Sequence, residues 1–350
     1  VIRRAYHRGV LERSPITLLD RLDRPLRDLR ISVTDRCNFR CIYCMPREVF
    51  GPGFQFLPRA DLLTFEEIAR LARLFVANGV TKLRLTGGEP LLRRDLPRLV
   101  EMLAAIEGLE DLAMTTNGAL LATHAEPLAR AGLGRVTVSL DSLDDEVFGR
   151  LNDVGMSVGR VIEGIEAAET AGLGPIKIDT VVRRGMNESS ILPLAIEARR
   201  RGWIIRYIEY MDVGQTNGWR MEDVVPASEI LDIIGRELPL ESVAPTYPGE
   251  VASRYRYLDG AGEMGVIASV TRPFCATCTR ARLSAEGHLY LCLFGMRAHD
   301  LKGPMRAGVD EAALGDIVRS AWAKRSDRYS EIRSEATTDR PRVEMSHIGG

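Results

Sequence analysis

The chain has 350 residues, a formal net charge of −1, and 45% hydrophobic and 27% charged residues. That length suits two domains or one large α/β domain with an appendage, and the composition is that of an ordinary globular protein. The charge gives no global basic excess for nucleic acid or an anionic membrane, no apolar run reaches a membrane span, and the opening VIRRAYHRGVLERSP lacks the apolar centre of a signal peptide, so a cytoplasmic protein is expected.

In chain order, DLRISVT (28–34) alternates as a strand and runs into a cysteine loop. FEEIARLARLFVANG (65–79) has helical periodicity, with Thr64 as its cap and Gly79 as its stop. Strand and helix then alternate: TKLRLTGG and RDLPRLVEMLAAIEG, DLAMTTNG and LLATHAEPLARAG, RVTVSLD and GRVIEGIEAAETAG, IKIDTVV and ESSILPLAIEARRRG, WIIRYIEYM and ASEILDIIGREL. Six such units predict a parallel α/β sheet, as a partial (βα)₆ barrel or a doubly wound open sheet. PLESVAPTYPGEVAS (239–253) then reads as a linker. Beyond it come the short strand-like runs RYRYL, GVIASV, RARLSA and HLYLCLF, a helix over 310–332, and an irregular tail, RPRVEMSHIGG.

The six cysteines form two triplets. Cys37, Cys41 and Cys44 read C-x₃-C-x₂-C, and Cys275, Cys278 and Cys292 read C-x₂-C-x₁₃-C. In a chain expected to be cytosolic, clustered thiols suggest metal or cluster ligation before disulfides. Structural zinc takes four protein ligands, whereas a cubane iron–sulfur cluster can sit on three thiolates and leave one iron open. The first triplet has no nearby His and follows the first strand, at the edge where α/β sites form. The second has His288 between its last two cysteines, so a Cys₃His zinc site stands beside the cluster reading. Gly87 and Gly88 in LTGGEP suit a turn or a close backbone approach to a ligand. Arg30, Arg84 and Lys177 lie on separate strands; they are either solvated charges or groups converging inside a barrel. Gly349-Gly350 is either a frayed end or a backbone probe.

The first triplet with Tyr43 before its last Cys, followed by LTGGEP, resembles the signature of the radical S-adenosylmethionine superfamily. DLRISVTDRCNFRCIYCMP, LRLTGGEPLLRRDL, TTNG, VSLDSLD, VVRRGMNE, EYMDVG, the second triplet and IGG, in that order, resemble its molybdenum-cofactor family over roughly residues 15 to 350. The resemblance implies a partial (βα)₆ TIM-like barrel over 15–237. It implies a C-terminal α+β extension over 238–350 that covers the open side and carries a second cluster. Cys37, Cys41 and Cys44 would hold a [4Fe-4S] cluster that cleaves S-adenosylmethionine, with Tyr43, Gly88, Ser139 and Met211 contacting that cofactor. Cys275, Cys278 and Cys292 would hold a second [4Fe-4S] cluster that binds the guanine of GTP. Arg30, Arg84, Thr115, Lys177, Arg280 and Arg282 would line the GTP pocket, and Arg280, Arg282, Gly349 and Gly350 would be catalytic. The implied reaction cyclises GTP between ribose C3′ and guanine C8. A flavodoxin or ferredoxin reductant, the next enzyme (cyclic pyranopterin monophosphate synthase) and a monomer or homodimer are implied with it, without nucleic acid or membrane. Thr279 and Ala281 stand where that family more often has Asn and Leu, and Asp179 where Asn is usual. Two rivals remain: another twin-cluster enzyme, such as a peptide-modifying one, and a zinc-stabilised interaction protein.

Overall fold

The computed structural model describes residues 17–333 and 342–350. The stretch read for a leader, the first two residues of the expected barrel segment and residues 334–341, which include the first two of the tail, lie outside the described residues. Six strands each lead to helix: β1 (Asp28–Ser32) to α1 (Phe65–Ala77), β2 (Lys82–Thr86) to α2 (Leu96–Ala104) and β3 (Asp111–Thr116) to α3 (Leu121–Arg130). β4 (Arg135–Ser139) leads to α4 (Asp145–Asn152) and α5 (Val158–Thr170), β5 (Lys177–Val182) to α6 (Ile191–Arg201), and β6 (Ile204–Glu209) to α7 (Ala227–Gly235). Local chemistry fixes the helix ends. Thr64 and Glu67 make a reciprocal capping box on α1, and Gly202 closes α6 in the left-handed conformation.

The remaining strands are β7 (Leu240–Val243), β8 (Ser253–Tyr257), β9 (Glu263–Ile267), β10 (Arg280–Leu283), β11 (His288–Tyr290) and β12 (His299–Asp300). After them come α8 (Lys302–Arg306), α9 (Glu311–Ala323) and α10 (Met345–Ile348). The sheet order is β12-β11-β10-β1-β2-β3-β4-β5-β6-β9-β8-β7. β10 joins β1 and β9 joins β6, both in parallel, so strands from after residue 237 extend both edges of the six-strand array. Antiparallel hairpin strands then finish each edge.

Strand alternation splits the side chains between two environments. Leu29, Ile31, Leu83, Leu85, Met114, Val136, Val138, Ile178 and Ile205 are buried in the main apolar core, with α1 supplying Ile68, Leu71, Ala72 and Phe75. The alternate residues line the interior cavity, and many of these are charged. Among the described residues no helix is long and apolar enough to cross a membrane.

Three local expectations are corrected. The helix expected over 310–332 ends at Ala323, because Arg325 turns inward and is buried beside the second cysteine loop. The supposed linker contains β7, paired with β8, and the irregular tail contains α10. A further helix, α4, had no counterpart in the sequence reading; Asp144 caps it by accepting from the Glu146 and Val147 amides.

Candidate active site

The first cysteine loop leaves β1 and is fastened mainly by backbone groups. The Gly88 and Glu89 amides donate to the carbonyls of Thr34 and Arg36 at 2.9 and 2.8 Å. A Cβ at Gly88 would lie 2.3 Å from the Arg36 carbonyl oxygen, so this approach requires glycine. Arg40 donates to the carbonyls of Cys37, Phe39 and Phe50, which closes the loop from the other side. Glu89, wholly buried, accepts from Leu91 N, Thr116 Oγ1 and Asn117 N. Burial pushes its carboxyl up to about 7. Asn117 Nδ2 in turn donates to Asn38 and, at 3.8 Å, to Cys37 Sγ. Tyr43 donates to the buried Asp141 at 2.6 Å, and burial pushes Asp141 up to about 6. Burial, with the Glu89 carboxylate, pushes the Cys37 thiol up to about 12; Cys41 and Cys44 move the same way.

The second loop is held by cations. Arg325 donates to the carbonyls of Leu291 and Cys278 at 3.0 and 2.8 Å and to Cys278 Sγ at 3.2 Å. Arg24 donates to the Cys275 carbonyl at 2.7 Å. Burial works upward on the Cys278 thiol, but Arg280 and Arg325 together outweigh it and bring it down to about 6. Burial pushes Cys292 up to about 12. His288 pairs with Glu286 at 2.9 Å and does not line the cavity, so it is not placed as the fourth ligand that the alternative zinc site needed.

Between the two loops the cavity encloses about 320 Å³, and all six cysteines line it. Strand register sets Arg30 directly between Arg282 of β10 and Arg84 of β2. Arg84 donates to the Thr115 and Thr137 hydroxyls. Among the described residues no carboxylate is in ion-pair reach of Arg30, Arg84, Lys177, Arg280 or Arg282, and buried Nε atoms of Arg30, Arg84 and Arg280 have no partner. Burial and the neighbouring Arg282, Arg280 and Arg84 lower the Arg30 pKa; burial, Arg206 and Arg135 bring Lys177 down to about 8. Buried unpaired charge is costly, so this constellation fits an anion.

Tyr43, Gly88, Ser139 and Met211 line the same cavity near the first loop, and Thr115 lines it beside Arg84. The tail enters as well. Arg282 donates to the Gly349 carbonyl, and Gly349 has φ +78° with Thr86 where a Cβ would lie. Gly350 faces the cavity. Asp179 forms a two-pronged pair with Arg206 at 2.7 and 2.8 Å, which occupies a carboxylate the sequence reading had left open. Thr279 and Ala281 are buried, and Ala281 belongs to the core rather than the cavity.

Sequence reading missed Lys82, Arg135 and Arg206, which also face the cavity. Their signal was available: each is a charge in register with other cavity-facing positions of an apolar strand. Glu89, Asn117 and Asp141 lie inside motifs that were quoted without assigning them a part. Arg325 gave no signal, since it was read as one more charge on a long helix.

A model of the Radical SAM superfamily matches residues 31–196, and one described as Molybdenum Cofactor Synthesis C matches residues 203–331. Among curated relatives, the GTP 3′,8-cyclase of Acidothermus cellulolyticus is 55% identical, covering 95% of this chain and 98% of its own length. The GTP 3′,8-cyclases of Xanthomonas campestris and Staphylococcus haemolyticus are 50% and 46% identical over 96% and 95% of this chain, each covered over 98% of its own length. The solved structure of Streptococcus suis SuiB bound to S-adenosylmethionine shares the fold, with TM-score 0.58 and 17% identity over 85% of this chain and 68% of that one. Near-complete alignment at this identity, with both family regions in order, places the chain in the GTP 3′,8-cyclase family of radical S-adenosylmethionine proteins.

Proposed function

We propose that this protein converts GTP to (8S)-3′,8-cyclo-7,8-dihydroguanosine 5′-triphosphate, the first step of molybdenum-cofactor biosynthesis. The carrying observation is the set of five cations without carboxylate partners, lining a barrel between two three-thiol loops. A triphosphate meets that charge, and guanidinium forks match phosphate oxygens.

The thiols suit cluster ligation. All six are free, and each triplet lies on one side of the cavity. Three thiolates can hold a [4Fe-4S] cluster and leave one iron open, whereas a structural zinc site takes four protein ligands. A cluster at the first loop would supply the electron for reductive cleavage of bound S-adenosylmethionine. Cys37, Cys41 and Cys44 hold that cluster, while Gly88, Tyr43, Ser139 and Met211 orient the cofactor. Arg30, Arg84, Thr115 and Lys177 hold GTP so that its ribose faces the first loop. Arg280 and Arg282 hold it beside Cys275, Cys278 and Cys292, which would hold a second cluster at the guanine end. Gly349, fixed by Arg282, closes the pocket with Gly350. Val181, Ile204 and Ile208 give the wall an apolar sector that keeps water from a carbon radical.

Residues 15–237 then supply the S-adenosylmethionine contacts and part of the GTP pocket, and 238–350 the second cysteine triplet with Arg280, Arg282 and the glycine tail. An external one-electron reductant protein, such as flavodoxin or ferredoxin, and a following synthase complete the sequence of reactions in the cytoplasm. The test is anaerobic incubation with GTP, S-adenosylmethionine and dithionite, followed by mass analysis. The cyclised nucleotide together with 5′-deoxyadenosine is expected; 5′-deoxyadenosine without a GTP-derived product would sink the reading.

A further inference from the structure

Asp20 lies behind the second cysteine loop with its side chain wholly out of solvent. Two equally buried guanidiniums share it: Arg24 Nε at 2.6 Å and Arg325 Nη1 at 3.1 Å from Oδ2. The remaining donors point forward. Arg24 reaches the carbonyls of Cys275 and Asp327, and Arg325 reaches those of Leu291 and Cys278. Arg325 Nη2 also donates to Cys278 Sγ at 3.2 Å. Trp322 packs under the Arg325 guanidinium at 4.5 Å and donates to the Arg24 carbonyl at 3.1 Å. One buried triad therefore grips both segments that carry the second set of cysteines. Among the described residues the first loop shows no such triad: Arg40, which closes it, donates to the backbone carbonyls of Cys37, Phe39 and Phe50.

The triad carries two cations against one carboxylate; around the same cysteines Arg280 adds a cation and Asp327 a carboxylate, so the set stays net positive. A net positive charge enclosed this deeply is unfavourable unless a negative body faces it. Three thiolates make a bound cluster net negative, and one-electron reduction adds further negative charge. A fixed guanidinium at hydrogen-bond distance from a ligating sulfur therefore favours the reduced form. We propose that Arg325, pinned by Asp20, is a positioning residue for the second cluster that fixes the Cys278 ligand and raises that cluster's reduction potential. This rests on reading the second triplet as a cluster site. The electron comes from an external low-potential reductant, and no bond is made or broken in the step.

The test uses the reconstituted full chain, its iron content, and a dithionite titration followed by electron paramagnetic resonance, with the first cluster as internal reference. Wild type and Arg325→Gln should each hold about eight iron atoms per chain, two [4Fe-4S] bodies. In Arg325→Gln the second centre should be at least tenfold harder to reduce, about 59 mV for one electron, with the first unmoved. Arg325→Lys keeps the charge but loses the fork, and its second centre should fall by less. Wild-type potentials in both variants would overturn this inference and leave the two-cluster reading standing. About four iron atoms in the wild type would overturn both. If Arg325→Gln cannot hold the second cluster, Arg325→Lys carries the comparison: a lowered potential supports the proposal, and a wild-type potential or loss of the cluster from both variants overturns it.

Discussion

The two cysteine loops face one cavity but are built in opposite ways. Around Cys37, Cys41 and Cys44 stand the buried carboxyls Glu89 and Asp141 together with Tyr43 and Arg40, and the loop is fixed mainly by backbone contacts against Gly87-Gly88. Around Cys275, Cys278 and Cys292 stand Arg24, Arg280 and Arg325, and side-chain forks fix the loop. The difference tracks the proposed guests. S-adenosylmethionine brings a sulfonium and an ammonium, which carboxylates favour; GTP brings phosphates, which guanidiniums favour. A single cavity can thus orient two ligands end to end by the charge at its two ends.

The strongest way to break this comparison is to remove thiols from one end at a time. Cys37→Ser, Cys41→Ser or Cys44→Ser should abolish 5′-deoxyadenosine formation. Cys275→Ser or Cys278→Ser should abolish GTP conversion while the first cluster persists. Chromatography of both products from the same incubations checks this; persistent S-adenosylmethionine cleavage in a first-loop variant would remove the catalytic assignment.

The next test sets backbone fastening against side-chain fastening. Gly88→Ala puts a methyl group into the Arg36 carbonyl, which must move and carry Cys37 with it. We expect a loss of roughly 1–3 kcal/mol in stability and of the first cluster's iron alone. Iron analysis with thermal melting decides, and a fully loaded, equally stable variant would show that the loop tolerates the displacement.

Most of the barrel was legible because its strands and helices keep separate periodicities, and because Gly79 and Gly202 mark helix ends locally. The charged interior was half legible. Arg84 drew attention as a lone cation between leucines, yet Lys82, in register with Asp28 and Asp111, drew none. The edge pairings of β9 and β10 were illegible, since parallel pairing across more than fifty residues leaves no local pattern. Arg325 was hidden for a related reason. Ala323 and Lys324 before it favour helix, and the contacts of Arg325 with Asp20 and Cys278, which accompany the end of the helix, are tertiary.

The tail sharpens the cationic end. Gly349 and Gly350 add little apolar surface, so their deletion should change stability by less than about 1 kcal/mol. Arg282 would lose its backbone acceptor. We expect intact iron content, unchanged melting and GTP turnover lowered at least tenfold, about 1.4 kcal/mol of transition-state stabilisation. Wild-type turnover in the truncated protein would reduce this tail to a terminus that happens to fit.

The smallest effect is a pH dependence at Lys177. Burial, then Arg206, Arg135, Lys82 and Arg84, bring its pKa from 10.5 down to about 8, with Asp179 already paired to Arg206. Only the protonated amine attracts phosphate, so GTP affinity should weaken as pH climbs from 7 to 9, by up to about tenfold. Stability should respond in the opposite sense. Between pH 8 and 10.5 the unfolded chain binds more protons at this site than the folded one, so the Lys177 contribution to the stability of the GTP-free protein rises with pH. Lys177→Arg holds its charge throughout and should flatten both trends. Calorimetric GTP titrations and melting curves over the same pH series separate this from a general alkaline loss, which would lower affinity and stability together. Identical pH slopes for wild type and Lys177→Arg would remove Lys177 from the phosphate-binding set.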